Sequence, residues 1–302
     1  IAKYGISSVV SIGDDELCEN MRAHYSKEYT LDYTPITKDN QDYRAERITA
    51  YLNLLDIIVK KQITLLKEEA FGQGHDIDTY FELLPEESQE KLLYLNMQTA
   101  KGKKKETLQN QLRASIKAGS IDVNIMTKLD RNNVDKNKTP LPPIYSDALS
   151  CFRGFANSTL ESGIVFSAGF NRRLFAYIEQ FPDFLPNKNG KIKKKIIIKV
   201  SDYRSCLTQG KFLAKKGVWI SEYRLESGLN CGGHAFATDG LLMGPILEEL
   251  KNKKEELTTQ LYDILTTALK TKNRHTSPNV PETLFTAQGG IGTANEQKFL
   301  LK

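Results

Sequence analysis

Two spacings of apolar residues alternate along the chain. Short β-branched runs recur at 4–13 (YGISSVVSIG), 121–127 (IDVNIMT), 163–169 (GIVFSAG), 196–200, 217–227 (GVWISEYRLES) and 283–288 (TLFTAQ), each of a length that suits a buried strand. Between them the apolar positions fall three and four apart, which predicts helices. The clearest covers 42–69, where Ile48, Leu52, Leu55, Val59 and Leu66 share one face. Others are predicted at 14–21, 107–117, 146–160, 171–180 and 245–270, and one begins after Ser201 and Asp202, residues suited to an N-cap, and stops at Gly217, suited to a C-cap. From residue 196 onward the order is strand, helix, strand, loop, helix, strand, glycine loop, helix. That alternation predicts an α/β fold, a barrel of parallel strands with helices outside and its chemistry on loops at the strands' C-terminal ends.

Residues 28–118 break the alternation. They are helical and charged, far longer than a usual connection between barrel elements. The organisation expected is an early barrel strand and helix at 1–27, a helical insertion or lid at 28–118, and the main part of the barrel, with its site, at 119–302. The chain begins at Ile1 and stops at Lys302 within a helix-like pattern, which suggests a barrel truncated at both ends.

Composition narrows the class. At 302 residues, 40% hydrophobic and 26% charged, the chain has the balance of a globular protein. No apolar run approaches the roughly 20 residues that cross a bilayer, and no secretory leader pattern opens the chain, so a cytoplasmic location is expected. The formal charge of +5 is concentrated at Lys101–Lys105 and Lys188–Lys195. Neither cluster alternates with aromatics, so both read as solvated loops, and no nucleic-acid partner is expected. Cys18, Cys151, Cys206 and Cys231 form no CxxC pair, which gives neither a zinc site nor a disulfide framework. A small-molecule substrate is the partner expected, and a homo-oligomer is compatible with the sequence.

The loop at 226–240, ESGLNCGGHAFATDG, draws attention first. Gly232 and Gly233 give room for close approach, and His234 offers a proton acceptor near neutral pH. Cys231 beside it also allows a nucleophile reading, although no orienting Asn or Asp can be identified. The second loop, AQGGIGTANEQKFLL, sets Gly289, Gly290 and Gly292 between a strand and a helix, where free backbone amides bind phosphate well. A base loop on one strand and a glycine loop on the next are what a barrel needs to hold a phosphate-tailed cofactor. Two further residues sit in or at the ends of strands. Asn124, in IDVNIMT, is either structural glue or a ligand contact, and Lys199 is either an ion-pair partner or a site residue.

With these residues in view, the chain from about 121 to 301 resembles the nitronate monooxygenase family, also called 2-nitropropane dioxygenase-like, FMN-dependent TIM-type (β/α)8 barrels. DVNIMT resembles the strand that supplies an Asn to the flavin, IVFSAG a later strand carrying Ser167 and Gly169, and IKVSDYRSC the segment bringing Lys199 and Ser201 to the site. CGGH resembles the loop whose His is the catalytic base, and TAQGGIGTA the phosphate loop with Gln288, Gly289, Gly290 and Gly292. The resemblance implies a flavin-dependent oxidoreductase. His234 would be catalytic. Asn124, Ser167, Lys199, Gly232, Gly233, Gln288, Gly289, Gly290 and Gly292 would bind FMN, with no metal, and electrons would pass through flavin to oxygen. The family's opening strand and its closing phosphate loop have no counterpart here. Alternatives are an enoyl reductase-like or glutamate synthase-like FMN barrel, a cofactor-free binding or regulatory barrel, and a Cys231-dependent hydrolase.

Overall fold

The structure, a computed structural model, describes residues 1–127, 130–135, 137–167, 169–226, 243–288 and 293–300. A 3-10 turn at Ala2–Tyr4 leads to β1 (Ser8–Ser11), α1 (Asp15–Glu28), α2 (Tyr43–Glu68), α3 (Asp76–Glu82), α4 (Gln89–Thr99), α5 (Gly102–Ser115) and β2 (Ile121–Met126). Then follow α6 (Asp147–Ala156), β3 (Gly163–Ser167), α7 (Arg172–Tyr177), β4 (Lys195–Val200), α8 (Tyr203–Lys216), β5 (Ile220–Glu226), α9 (Met243–Thr271), β6 (Leu284–Gln288) and α10 (Ala294–Leu300). The first strand is shorter than its apolar run, because Ala2–Tyr4 form a 3-10 turn instead and Gly5 adopts a left-handed φ of 74°. α1 runs further than its opening suggests, to Glu28, started by the Asp14 carboxylate accepting from the N–H groups of Glu16 and Leu17.

The strands lie in one sheet in the order of the sequence, β1-β2-β3-β4-β5-β6. Each pair from β2 to β6 is parallel. β1 follows β2 in the same sense, since Ser8 N–H meets the Ser120 carbonyl and Ile12 N–H the Asn124 carbonyl. Sequential order differs from the doubly wound arrangement, in which the order reverses at a switch point. With right-handed crossovers, sequential order sends every connecting helix to the same face of the sheet.

The chain divides into two compact units. The first comprises Ile1–Val10, Asp14–Asp122 and Ser158–Leu160. Within it α1 packs along α2, with Cys18, Ile48, Leu52 and Ile58 buried. Burial, followed by the carboxylates Asp15 and Asp14, pushes the Cys18 thiol up to about 12, so it stays an un-ionised apolar filler. The segment after α1 is tied down by Glu19, which accepts from Tyr33 Oη, the Ile36 N–H and Arg22. A second core joins α2 to α3, α4 and α5 around Leu66, Ile77, Phe81, Tyr94, Met97 and Leu112. There Phe81 stacks on Tyr94 at 5.5 Å, and Tyr94 Oη donates to the buried Asp78 carboxylate at 2.8 Å.

The second unit comprises Ser11–Gly13, Val123–Asn157 and Glu161–Lys302. Strand alternation gives its part of the sheet two faces. One carries Val123, Ile125, Ile164, Phe166, Ile196, Ile198, Val200, Tyr223 and Leu225, all buried, and it packs on helices. Phe166 stacks on Phe175 of α7 at 5.3 Å, and Tyr223 Oη donates to the Cys206 carbonyl of α8. Gly210 of α8 lets the helix come close, because a Cβ there would lie 2.6 Å from Tyr223 Oη and 2.7 Å from Leu261 of α9. α8 is capped as its ends predict, with Asp202 accepting from Ser205 N–H and Gly217 left-handed at φ 86°.

One irregularity sets which way β5 faces. Ile196 pairs with Ile220, but Ile197 pairs with Glu222, so the ladder skips Ser221. This bulge keeps Ile220 on the apolar face while placing Glu222, Arg224 and Glu226 on the other. Trp219, which the spacing assigns to the strand, lies just before it, buried and donating Nε1–H to the Glu282 carbonyl.

The basic stretch 188–195 is not wholly a solvated loop. Lys194 is fully buried, its Nζ donating to the Phe155 carbonyl at 2.7 Å and lying 4.6 Å from the Phe155 ring centre. Lys195 opens β4. No described helix is long and apolar enough to cross a membrane.

Candidate functional site

The second face of the sheet, within the second unit, is where polar residues gather. Asn124 on β2 lies opposite Val165 on β3, which is opposite Ile197 on β4, then Glu222 on β5 and Leu284 on β6. One step nearer the C-terminal ends, Met126 pairs with Ser167, and Lys199 pairs with Arg224, which pairs with Thr286. At the end of the sheet Glu226 pairs with Gln288. Alternation puts all of these side chains on the face opposite the helix-packed one.

Of the residues named as catalytic or FMN-binding, four are described, and all four share this face: Asn124, Ser167, Lys199 and Gln288. They come from four different strands. Asn124 and Ser167 meet directly, with Ser167 Oγ 2.5 Å from Asn124 Oδ1, so Asn124 has a structural partner without being withdrawn from the face. Lys199 is ion-paired, its Nζ 3.1 Å from Glu226 Oε1. Gln288 is exposed at the sheet's end. The remaining candidates, Gly232, Gly233, His234, Gly289, Gly290 and Gly292, lie outside the described residues, as does Cys231.

Four residues of the face escape a reading of local pattern. Glu222 Oε1 accepts from Arg224 Nε at 2.8 Å and from Thr286 Oγ1 at 2.6 Å, and Glu226 holds Lys199. The two carboxylates and two cations thus balance. Beneath them, Val165 and Ile197 are almost completely buried and supply an apolar floor. The sequence signal that could have pointed to β5 is the charge in EYRLE at every second position, the period of one strand face.

A second network fixes the loops that leave β2 and β3. Asp130 accepts from Arg173 Nη2 at 2.6 Å, Asn171 Nδ2 at 3.0 Å and the Ala148 N–H at 3.1 Å. Burial works against its charge, but the polar groups around it, the Ser146 hydroxyl, Arg173, Asn171 and the Ala148 N–H, prevail and hold its pKa below the ordinary carboxylate value. Asn171 also donates to the Thr127 carbonyl and caps α7 through Leu174 N–H, while Thr127 Oγ1 donates to the Gly169 carbonyl at 2.8 Å. The exits of β2 and β3 are therefore cross-tied just beyond the Asn124 and Ser167 pair.

Chemically, the face offers an amide, a hydroxyl, an ammonium, a guanidinium and two carboxylates over an apolar base. Such a surface can hydrogen-bond the polar edge of a flat molecule. Among the described residues no group of three or more His, Cys, Asp or Glu side chains forms a metal site. The sequence matches no family model, and comparison with curated proteins and with solved structures gives no match.

Proposed function

We propose that the sheet of this chain is that of a TIM-type barrel, binds FMN over its polar face and serves a flavin-dependent oxidoreductase. One observation carries the reading: Asn124, Ser167, Lys199 and Gln288, drawn from four strands, lie on one face towards the strands' C-terminal ends. In barrels that end carries the chemistry. The sequential strand order supports the barrel, because a sheet that never reverses its order can close on itself with its helices outside.

The donor set fits a flavin. Its ring edge presents carbonyl oxygens and ring nitrogens that need both donors and acceptors, and Asn124, Ser167 and Lys199 supply them. The backbone amides of Gly289, Gly290 and Gly292 would take the phosphate. Bound there, FMN would supply a two-electron acceptor that passes electrons on to oxygen. His234 would accept the carbon-bound proton of the substrate, with Gly232 and Gly233 giving the substrate room. Glu226 keeps Lys199 in place at the edge of the face. Asp130 cross-ties the loops beyond Asn124 and Ser167.

The absorption spectrum of the purified protein tests the reading. A yellow protein, or one that acquires a flavin spectrum on adding FMN, is expected, and Lys199→Met is expected to weaken uptake about tenfold or more. With flavin bound, His234→Ala should stop substrate from bleaching the flavin while leaving the flavin in place. A colourless protein that takes up no FMN would leave a cofactor-free barrel as the better reading.

A further inference from the structure

Arg224 occupies the middle of the polar face with part of its hydrogen-bonding capacity uncommitted. It points the same way as Lys199 on β4 and Thr286 on β6, which flank it in the ladder. Its side chain is 19% exposed. Nε donates to Glu222 Oε1 at 2.8 Å, and Thr286 Oγ1 holds that same oxygen at 2.6 Å. The guanidinium is therefore oriented by one edge. Among the described residues its Nη1 and Nη2 atoms meet no acceptor.

The Nη atoms are open to solvent rather than enclosed, so a ligand can take the place of water on them. The Nη edge is a planar fork that matches the two oxygens of a carboxylate. Lys199 stands beside it on the next strand, with one polar contact among the described residues, to Glu226, and an ammonium has three hydrogens to give. Glu222 on Arg224 and Glu226 on Lys199 offset the positive charge of the pair, which favours a singly charged planar anion over a doubly charged phosphate.

We propose that Arg224 anchors the carboxylate of an organic-acid substrate, with Lys199 as its neighbour. The oxidation of that acid rests on the flavin reading above, whereas the anion contact does not. Acetate is the probe, titrated calorimetrically into the full chain at constant ionic strength. Saturable acetate binding is expected, weakened at least tenfold in Arg224→Lys, which keeps the charge but loses the fork, and not competed by inorganic phosphate. A wild-type protein without saturation, or an Arg224→Lys variant that binds acetate equally well, overturns the proposal.

Chemistry on the unaltered protein guards against a variant that fails to fold. Acetate should shield Arg224 from phenylglyoxal, read by peptide mass mapping, and unchanged modification overturns the proposal too. FMN uptake, followed in the same preparations, separates the two ideas. Acetate binding through Arg224 without flavin uptake retires the flavin reading alone. Flavin uptake without Arg224-dependent acetate binding retires the anion site alone.

Discussion

Lys194 lies just before β4 with its side chain removed from solvent, and burial lowers its pKa from the usual 10.5 to about 8 despite the favourable charge of Asp183. Below pH 8 both folded and unfolded chains carry this proton, and the folded state bears the full cost of a buried cation. Between about 8 and 10.5 only the unfolded chain keeps it, so stability rises with pH across that window, by roughly 3 kcal/mol at most. Urea unfolding across that range should show the rise in the wild type and its absence in Lys194→Met. Equal slopes in the two proteins would refute this account. The same residue marks a limit of sequence reading: within NKNGKIKKK, nothing local separates the one lysine that turns inward from its solvated neighbours. Asn124, Ser167, Lys199 and Gln288 are legible because a polar residue within or at the exit of a β-branched run stands out.

Elements were readable where their periodicity was long. The spacing marks α2 to within a residue at each end, and also α8 with both its caps. The facing of β5 was not readable, since it depends on a skipped pairing with β4 that only the assembled sheet contains. Contact between elements was equally hidden. Gly210 reads as an ordinary glycine inside a helix, yet it is the point where α8 meets both Tyr223 and Leu261. Neither neighbour has room to withdraw, since Tyr223 and Leu261 are both almost completely buried. Gly210→Ala should therefore destabilise the protein by about 1–3 kcal/mol through overpacking, although alanine is the better helix former. A thermal melt in which the variant gained stability would show that the contact is looser than its distances imply.

At the scale of the whole chain, two compact units each have their own buried side chains. The core of α2 to α5 in the first unit is centred on Phe81, which is fully buried against Tyr94. Phe81→Ala should cost that core about 3–5 kcal/mol. Hydrogen exchange is expected to quicken in α3, α4 and α5 while α8 and α9 keep their protection. A uniform loss of protection across both units would mean that they unfold as one.

The skipped pairing at Ser221 has a consequence for how this chain can vary over time. In a strand, a residue gained or lost reverses the facing of everything beyond it. Loss of Ser221 itself would restore a regular ladder with Glu222 still opposite Ile197, whereas a residue lost just after Glu222 would turn Arg224 and Glu226 against the helices and bring Leu225 to the polar side. Chain length, more than side-chain identity, is what β5 must preserve. Insertions and deletions among descendants of this sequence should therefore collect in the connections between elements and, within β5, be confined to Ser221.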